Sequence, residues 1–368
     1  MLMYSQFLDY IYLDMASFTQ MSTFRVGTFN KPSRSDQDRF FVFRSESDRF
    51  VALCVIDGHG RLGTHCAERI KKTLEDCCIA SYESFFDSPY VWLNNVFDTA
   101  NSKITQFDGG ATCTLCVIAN NIMYVAYVGD SSALLMTREP LLDPSLITDL
   151  TELVATDQSS ELVATDQSSE LVATDQSSEL VATDQSTEIV KTNHLLFCDD
   201  HSPENPEEYQ RMIAINPSIR CVYDRSDATY HNVSKYLLPK INDEKRGLGY
   251  HKNVRKEPAT LVTKNNGRAL AMTRSLGDLW MKPEVTHVPT IKRFDLSSTL
   301  ESPCLIIASD GVWDNWQYQE VHDFFMNESN KSLSVDEQAL AFCNQNDLKG
   351  TENFGSHKDD VSGIIFLF

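Results

Sequence analysis

The sequence lacks any apolar run long enough to cross a membrane. No stretch approaches the ~18–20 uninterrupted apolar residues that a membrane-spanning helix requires. The first residues, MLMYSQFLDYIYLD, contain no basic residue, and Asp9 and Asp14 interrupt their apolar positions, so we do not expect them to form a secretory signal. We therefore expect an intracellular, cytoplasmic-type protein that does not act on or in a membrane.

Positive charge is also scarce. The chain has 32 Lys and Arg residues against 52 Asp and Glu residues, which gives a formal net charge of −20. A protein this acidic has no general electrostatic attraction to nucleic acid or to anionic membranes. Its 42% hydrophobic and 23% charged residues are values typical of globular proteins. The composition thus argues for a globular protein without a nucleic-acid partner.

A disulfide framework is not expected either, although the chain has 10 cysteines. Without an export signal, cysteines stay reduced, and we predict that they are buried. Cys113 and Cys116 have the spacing of a metal knuckle, but they lie in a strand-like run where positions i and i+3 face opposite sides. We predict that these two residues, like Cys77 and Cys78 in a helical pattern, belong to the core.

Residues 152–187 consist of four nearly identical nine-residue copies of the sequence ELVATDQSS. The unit is shorter than the ~20 residues of the smallest common solenoid repeats, and it lacks the glycines of a calcium-binding nonapeptide repeat. We predict that it forms a loop insertion that is dispensable for activity. A tandem partner-binding segment is the alternative.

The rest of the chain predicts one mixed α and β domain. Strands are predicted at 39–44, 50–56, 112–119, 122–128, 133–137, 304–309 and 361–368, and helices at 63–80, at 90–104 and from Asn205 onward. The pair Asn120-Asn121 suits a tight hairpin between two of these strands. Strands in antiparallel-looking pairs, separated by a few long helices, argue against repeated βαβ units.

Several carboxylates lie at the ends of predicted strands. Asp57 and Asp310 each end a strand and are each followed by glycine, whereas Asp38 and Asp359 each directly precede a strand. Carboxylate oxygens are the ligands that Mg²⁺ and Mn²⁺ prefer. Taken singly, each acid is also an ordinary turn residue, and the spacing alone does not establish that the four converge.

Eight segments, in order along the chain, resemble the metal-dependent protein phosphatases of the protein phosphatase 2C family. They are SDQDRF (35–40), VIDGHG (55–60), GATC (110–113), VGDS (128–131), DHSPENPEEYQR (200–211), TRSLGD (273–278), ASDGVWD (308–314) and DDVS (359–362). The second and seventh are the most specific. The resemblance spans residues 24–368 apart from the insertions.

The resemblance implies an α+β fold, with a central β-sandwich of two antiparallel sheets flanked by α-helices in four αββα layers. Residues 24–368 would form the catalytic domain, and residues 1–23 would form an N-terminal extension. The polar, irregular segment at about 217–266 takes the place of the family's variable flap, which lies beside the active site.

The resemblance also implies a site for two Mg²⁺ or Mn²⁺ ions. Asp57 matches the carboxylate that bridges both ions, and Gly58 matches the position that contributes a backbone carbonyl. Asp310 and Asp359 match the carboxylates that hold one of the ions. Further ligands are expected at the positions of a third, weaker ion, which Asp130 and Asp278 occupy.

The implied reaction is hydrolysis of phosphoserine and phosphothreonine in protein substrates by a water that bridges the two ions. Asp38 matches an acid that orients this water, and His59 lies where the family has its proposed general acid. We also expect the protein to act as a monomer.

The chain departs from the family pattern at three positions. Gln37 stands where many members have an acid, and Ser132 stands where arginine is usual. Ser33 stands where some members have a phosphate-binding arginine, so Arg34, one residue away, is the candidate for that role.

Two other functions fit the same fold. A pseudophosphatase would bind a partner without catalysis, and a related hydrolase would act on a non-protein phosphoester. Inactive members of the family typically lose metal-binding acids, whereas this chain keeps Asp57, Asp310 and Asp359. This favours an active enzyme.

Overall fold

The computed structural model describes residues 24–33, 36–47, 49–140, 142–151, 191–203, 205–223, 259–262, 269–296, 300 and 303–368. The predicted N-terminal extension, the repeat at 152–187, most of the flap-like segment and Arg34 lie outside these residues. What the sequence indicates about them stays a prediction.

Sixteen strands and seven α-helices are assigned within the described residues. The strands are β1 (Arg25–Lys31), β2 (Asp38–Arg44), β3 (Phe50–His59), β4 (Gly110–Ala111), β5 (Cys113–Ala119), β6 (Ile122–Val128), β7 (Ser132–Met136), β8 (Thr148–Asp149), β9 (His194–Leu196), β10 (Arg220–Tyr223), β11 (Ala259–Val262), β12 (Ala269–Leu270), β13 (Leu276–Gly277), β14 (Thr290–Asp295), β15 (Cys304–Ala308) and β16 (Val361–Leu367). The helices are α1 (Gly63–Phe85), α2 (Pro89–Ser102), α3 (Pro206–Ile215), α4 (Asp310–Trp313), α5 (Tyr318–Met326), α6 (Glu328–Lys331) and α7 (Val335–Phe354). None of the helices in this part of the chain is long and apolar enough to cross a membrane.

The strands form two large antiparallel sheets. One has the order β1-β16-β15-β7-β9, and the other has the order β13-β4-β3-β5-β6-β14-β8, with β2 paired to β3. Strands β5 and β6 form the expected hairpin, with Asn120 at φ 50° and Asn121 at φ 61° in the left-handed region. A separate small sheet contains β10, β11 and β12.

Successive side chains of each strand alternate between its two faces, and this divides the hydrophobic core into layers. On β3, Leu53 and Val55 are buried between the two large sheets, whereas Cys54 and Ile56 pack toward α1 and α2. On the opposite sheet, Ile306 packs toward α5 and α7. Because successive side chains of a strand point to opposite faces, each sheet has one face on the sandwich core and one on helices. The predicted αββα sandwich is confirmed.

The cysteines are core residues, as the sequence predicted. Cys113 is buried on the helix-facing side of β5, and Cys116 is buried between the sheets, so the two thiols face opposite sides. Cys78 is buried and Cys77 is half-buried on α1, and the nine cysteines whose side chains the structure describes are free thiols. Cys113 and Cys116 therefore do not form a metal knuckle.

Candidate active site

Strand ends from both large sheets bring carboxylates together at one rim. Asp38 begins β2 and is the cross-strand partner of Asp57 in β3. Asp310 follows β15, and Asp359 lies two residues before β16. Burial, and then repulsion by Asp38, Asp310, Asp359 and Asp130, raises the pKa of Asp57 well above its usual value. The five carboxylates, which we call the carboxylate rim, therefore lie within electrostatic range of one another.

Asp38 is the most deeply buried acid of the carboxylate rim, with an exposed fraction of 1%. Its Oδ2 accepts a hydrogen bond of 2.7 Å from Ser309 Oγ. Its Oδ1 is buried and has no hydrogen-bond partner among the described residues. Burial, together with the nearby charges of Asp310 and Asp360, raises the pKa of Asp38 to about 7. This carboxylate thus keeps one oxygen available for a ligand that can compensate its charge.

Asp359 and Asp360 are neighbours with different surroundings. Asp359 is exposed at the rim, yet partial desolvation and the charge of Asp310 raise its pKa to about 7. Asp360 is buried and accepts hydrogen bonds from the backbone N–H groups of Ser33 and Gln37, the latter at 2.8 Å. It therefore anchors the backbone at Ser33 and at Gln37, which directly precedes Asp38. The sequence alone predicts no role for Asp360.

The backbone around Gly58 is packed too closely for a side chain. A Cβ at Gly58 would lie 2.5 Å from Gly63 O and 2.9 Å from Gln37 O. The side-chain amide of Gln37 donates to Gly60 O at 3.0 Å, and Gln37 O accepts from Gly58 N at 3.2 Å. Gln37 therefore holds the loop that follows Asp57, a role that does not need the acid found in many family members.

His59 and Asp278 form a short hydrogen bond, with 2.6 Å between Nε2 and Oδ2. The same Oδ2 accepts a second bond of 2.6 Å from Ser275 Oγ. Burial disfavours the charged imidazole, but the Asp278 carboxylate outweighs it and raises the pKa of His59. A Cβ at Gly110 would lie 2.3 Å from Asp278 Oδ2, so only glycine there leaves room for this carboxylate.

A buried histidine holds the loop that carries Asp130. Gly129, at φ 95°, donates its N–H to His201 Nδ1 at 3.2 Å, and the backbone N–H of His201 donates to Gly129 O at 3.0 Å. Because Nδ1 accepts, the proton is on Nε2, which contacts Thr290 Oγ1 at 2.9 Å. Burial lowers the pKa of His201 well below its usual value, so the ring is neutral and its tautomer is fixed.

Another buried carboxylate, that of Glu208 on α3, is surrounded by donors. Its Oε1 accepts from Arg274 Nε at 2.9 Å and Nη2 at 2.5 Å, and its Oε2 accepts from Arg211 Nη2 at 2.9 Å and Thr273 Oγ1 at 2.8 Å. Burial favours the neutral acid, but the two arginines prevail and lower the pKa of Glu208 to about 2. The Glu-x-x-Arg spacing on α3 is compatible with the ion pair of Glu208 and Arg211, whereas no local sequence pattern predicts the contacts of Glu208 with Thr273 and Arg274.

The carboxylate rim fits an oxygen-seeking divalent cation in chemistry, though not as a preformed cage. Within the described ranges, no group of three or more Asp, Glu, His or Cys side chains is arranged so that it could hold a metal ion as it stands. The rim nevertheless gathers acids whose charges oppose one another, and it leaves Asp38 Oδ1 buried without a hydrogen-bond donor. Hard cations such as Mg²⁺ relieve such repulsion and accept carboxylate ligands.

Comparison with known proteins identifies relatives that are described as protein phosphatases 2C. The family described as Protein phosphatase 2C matches residues 17–152 and 190–351. "Probable protein phosphatase 2C 34" of Arabidopsis thaliana is 22% identical over 339 residues, which cover 85% of this chain and 71% of that protein. "Probable protein phosphatase 2C 68" of Oryza sativa subsp. japonica is 53% identical over 45 residues, which is 12% of each chain.

Solved structures share the fold. The crystal structure of serine-threonine phosphatase 2C from Toxoplasma gondii matches with a TM-score of 0.60 and 13% identity, covering 97% of this chain and 98% of that one. A C. elegans sex determining protein matches with a TM-score of 0.56 and 16% identity, and this chain covers 65% of its length. Identities this low establish similarity of fold alone. The family match, however, spans most of the chain, and the protein therefore belongs to the protein phosphatase 2C family.

Proposed function

We propose that this protein is a metal-dependent serine/threonine phosphatase that hydrolyses phosphoserine and phosphothreonine in protein substrates. The observation that carries the proposal is the convergence of strand-end carboxylates around Asp57, beside the hydrogen-bonded pair of His59 and Asp278. Membership of the family supports the class of reaction.

Mg²⁺ or Mn²⁺ is the cofactor that suits the carboxylate rim. Asp57, the backbone carbonyl of Gly58, Asp310 and Asp359 are the residues that would hold two such ions. Asp130 and Asp278 are the candidates for a third ion. When bound, such ions supply Lewis-acid activation of the attacking water and offset charge on the phosphoryl group.

The chain's own residues perform the remaining steps. Asp38, anchored by Ser309, accepts a hydrogen bond from the attacking water and directs it toward phosphorus. As the phosphorus–oxygen ester bond breaks, His59 donates its proton to the departing serine or threonine oxygen. Asp278 orients the imidazole and favours its protonated form. No side chain needs to form a covalent intermediate.

The test is hydrolysis of a phosphothreonine peptide with Mn²⁺ or Mg²⁺, with and without EDTA. We expect turnover that requires the cation and falls by at least ~100-fold in Asp310→Asn, because that carboxylate would hold an ion. Asp76→Asn is the matched control, since Asp76 is an exposed acid on α1 whose surface ion pair with Lys72 contributes little. A folded protein without cation-dependent turnover would refute the proposal and favour a partner-binding pseudophosphatase.

A further inference from the structure

Glu208 is a buried carboxylate to which the mechanism above gives no role. Its side chain is 5% exposed, and it accepts four hydrogen bonds from three residues. A buried charge with this many donors is costly to form and costly to disturb, because removing one partner leaves the other charges unpaired. Such a network therefore holds its members in one arrangement.

The members come from two separate segments of the chain. Glu208 and Arg211 are on α3, whereas Thr273 and Arg274 lie between β12 and β13. Arg211 adds two bonds of 3.0 Å to backbone carbonyls, one from Nη1 to Glu284 O and one from Nη2 to Thr273 O. Since α3 precedes β10 and Thr273 follows β12, the network ties the chain where it enters the small β10-β11-β12 sheet to the point where it leaves it.

The Thr273–Asp278 segment then reaches the candidate active site. At its start, the backbone N–H of Thr273 donates to His201 O at 2.7 Å. In its middle, the backbone N–H of Ser275 donates to Thr286 O at 2.9 Å. At its end, the Asp278 carboxylate contacts His59. Only four residues thus separate Thr273, whose side chain donates to Glu208, from Asp278, whose side chain contacts the imidazole.

We propose that Glu208 is a positioning residue: it fixes the Thr273–Asp278 segment so that the Asp278 carboxylate meets His59 in hydrogen-bonding geometry. The inference rests on the proposed function, in which His59 donates a proton during the reaction. A proton donor works only when it is held within about 0.5 Å of its productive place. Within the described part of the chain, the hydrogen bonds of the Glu208 side chain go to Arg211, Thr273 and Arg274 and not to His59 or the carboxylate rim, so it acts through Asp278.

Three variants separate positioning from general stability. Glu208→Gln keeps the shape of the side chain but removes its charge, and Thr273→Val removes a single donor. Glu207→Gln is the control, because Glu207 is the exposed neighbour on the same helix and loses the same charge. All three are assayed well below their melting temperatures. If Glu208→Gln fails to fold, Thr273→Val carries the test.

The kinetic readout is the separate change in kcat and KM for a phosphothreonine peptide with Mn²⁺. We expect Glu208→Gln to lower kcat by at least ~10-fold with KM within ~2-fold, because misplacing a catalytic group by ~1 Å is this costly. Thr273→Val should lower kcat by a smaller factor, and Glu207→Gln should leave both constants unchanged. The double variant Glu208→Gln/Asp278→Asn should have a kcat no lower than that of Asp278→Asn alone, because Glu208 acts through Asp278. If the two reductions in kcat multiplied in the double variant, the proposal would be overturned.

The second readout needs no turnover. In the metal-free protein at one fixed pH, the His59 Nε2 proton should give a downfield NMR signal, because its bond to Asp278 is only 2.6 Å long. Loss of the signal in His59→Gln assigns it to His59. The His59 signal should move or vanish in Glu208→Gln and stay in place in Glu207→Gln.

The two readouts distinguish the two hypotheses. A signal that moves in Glu208→Gln while the wild type shows no phosphatase activity would support the positioning role and refute the proposed function. An active wild type, in which Glu208→Gln changes neither the His59 signal nor kcat, would overturn the positioning role and leave the proposed function standing.

Discussion

Asp38 and Asp57 are direct cross-strand partners on β2 and β3, so two carboxylates face one another at the end of the sandwich. Residues opposite each other on antiparallel strands have Cβ atoms ~4.5–5.5 Å apart, a distance at which like charges repel. Burial and this repulsion raise the pKa of Asp57 well above its usual value, and the pKa of Asp38 rises to about 7. Without a cation, the carboxylate rim therefore opposes folding at neutral pH.

The first prediction is that a divalent cation stabilises the protein through Asp57. Mn²⁺ or Mg²⁺ should raise the melting temperature of the wild type, because a ligand that binds only the native state shifts unfolding. Asp57→Asn should melt higher than the metal-free wild type by ~2–4 °C for each kcal/mol of relieved repulsion, and its response to the cation should disappear. Differential scanning calorimetry measures both effects.

The surface variant Asp76→Asn serves as the control and should keep the full cation response. If Asp57→Asn still responded to Mn²⁺ as the wild type does, the assignment of Asp57 as a metal ligand would be wrong.

The second prediction concerns the pH dependence of metal-free stability. Asp38 and Asp359 each have a folded-state pKa raised to about 7, above the unfolded value of ~3.9. Between these limits the folded protein binds protons that the unfolded chain has released. The free energy of unfolding should therefore rise as the pH falls from about 8 to about 5.

Denaturant titrations in EDTA at several pH values test this dependence. Asp38→Asn should reduce the difference between pH 8 and pH 5 by on the order of 1–2 kcal/mol. If the free energy of unfolding of the metal-free wild type instead decreased steadily as the pH falls from 8 to 5, these two acids would ionise normally.

The third prediction is that Asp278 sets the alkaline limb of the pH–rate profile. The Asp278 carboxylate overcomes burial and raises the pKa of His59. Because the proposed proton donor must be protonated, kcat/KM should fall as the pH rises through that pKa. Asp278→Asn keeps a hydrogen-bond acceptor but removes the charge, so the limb should move to lower pH. A limb that stays in place in this variant would exclude His59 as the titrating acid.

The sequence predicted the elements whose pattern is local. The strands at β2, β3, β5, β6, β7, β15 and β16 and the helices α1, α2 and α3 follow from short apolar runs, helical periodicity and end signals, and the structure confirms them. Strand β1 and helix α7 were not predicted. Helix α7 has a nearly even mixture of polar and apolar residues, and β1 is stabilised by its pairing with β16.

The relations within the site depend on contacts between distant parts of the chain. Asp359 and Asp360 are indistinguishable in sequence, and only folding places the first at the surface and the second beneath Ser33 and Gln37. The bond between His59 and Asp278 joins positions 219 residues apart. Composition and spacing contain no information about such a contact, whereas family resemblance identified the residues without their pairing.

The fourth prediction concerns Gly110, which packs closely against the Asp278 carboxylate. An added Cβ at Gly110 would lie 2.3 Å from Asp278 Oδ2 and 2.5 Å from Leu276 O, so Gly110→Ala must displace the carboxylate or the strand. We expect a loss of about 1–3 kcal/mol in the free energy of unfolding and a kcat reduced at least as much as in Asp278→Asn. Denaturant titration and peptide hydrolysis measure the two effects. Gly350→Ala on α7 is the control, since the atom nearest to its added Cβ would be the side-chain Nδ2 of Asn315, 3.3 Å away.

The fifth prediction is that the repeat at 152–187 is dispensable. The chain on either side of it is anchored independently: Thr151 Oγ1 accepts from Ile291 N at 3.0 Å, and Thr192 exchanges backbone hydrogen bonds of 2.8 and 2.9 Å with Leu142. The two segments that match the family leave out residues 153–189. Replacing 152–187 with a short Gly/Ser linker should keep cation-dependent kcat within ~2-fold, because shortening a loop changes its closure entropy only slowly. A linker variant that folds and binds Mn²⁺ but no longer hydrolyses the phosphopeptide would mean that the repeat takes part in the reaction.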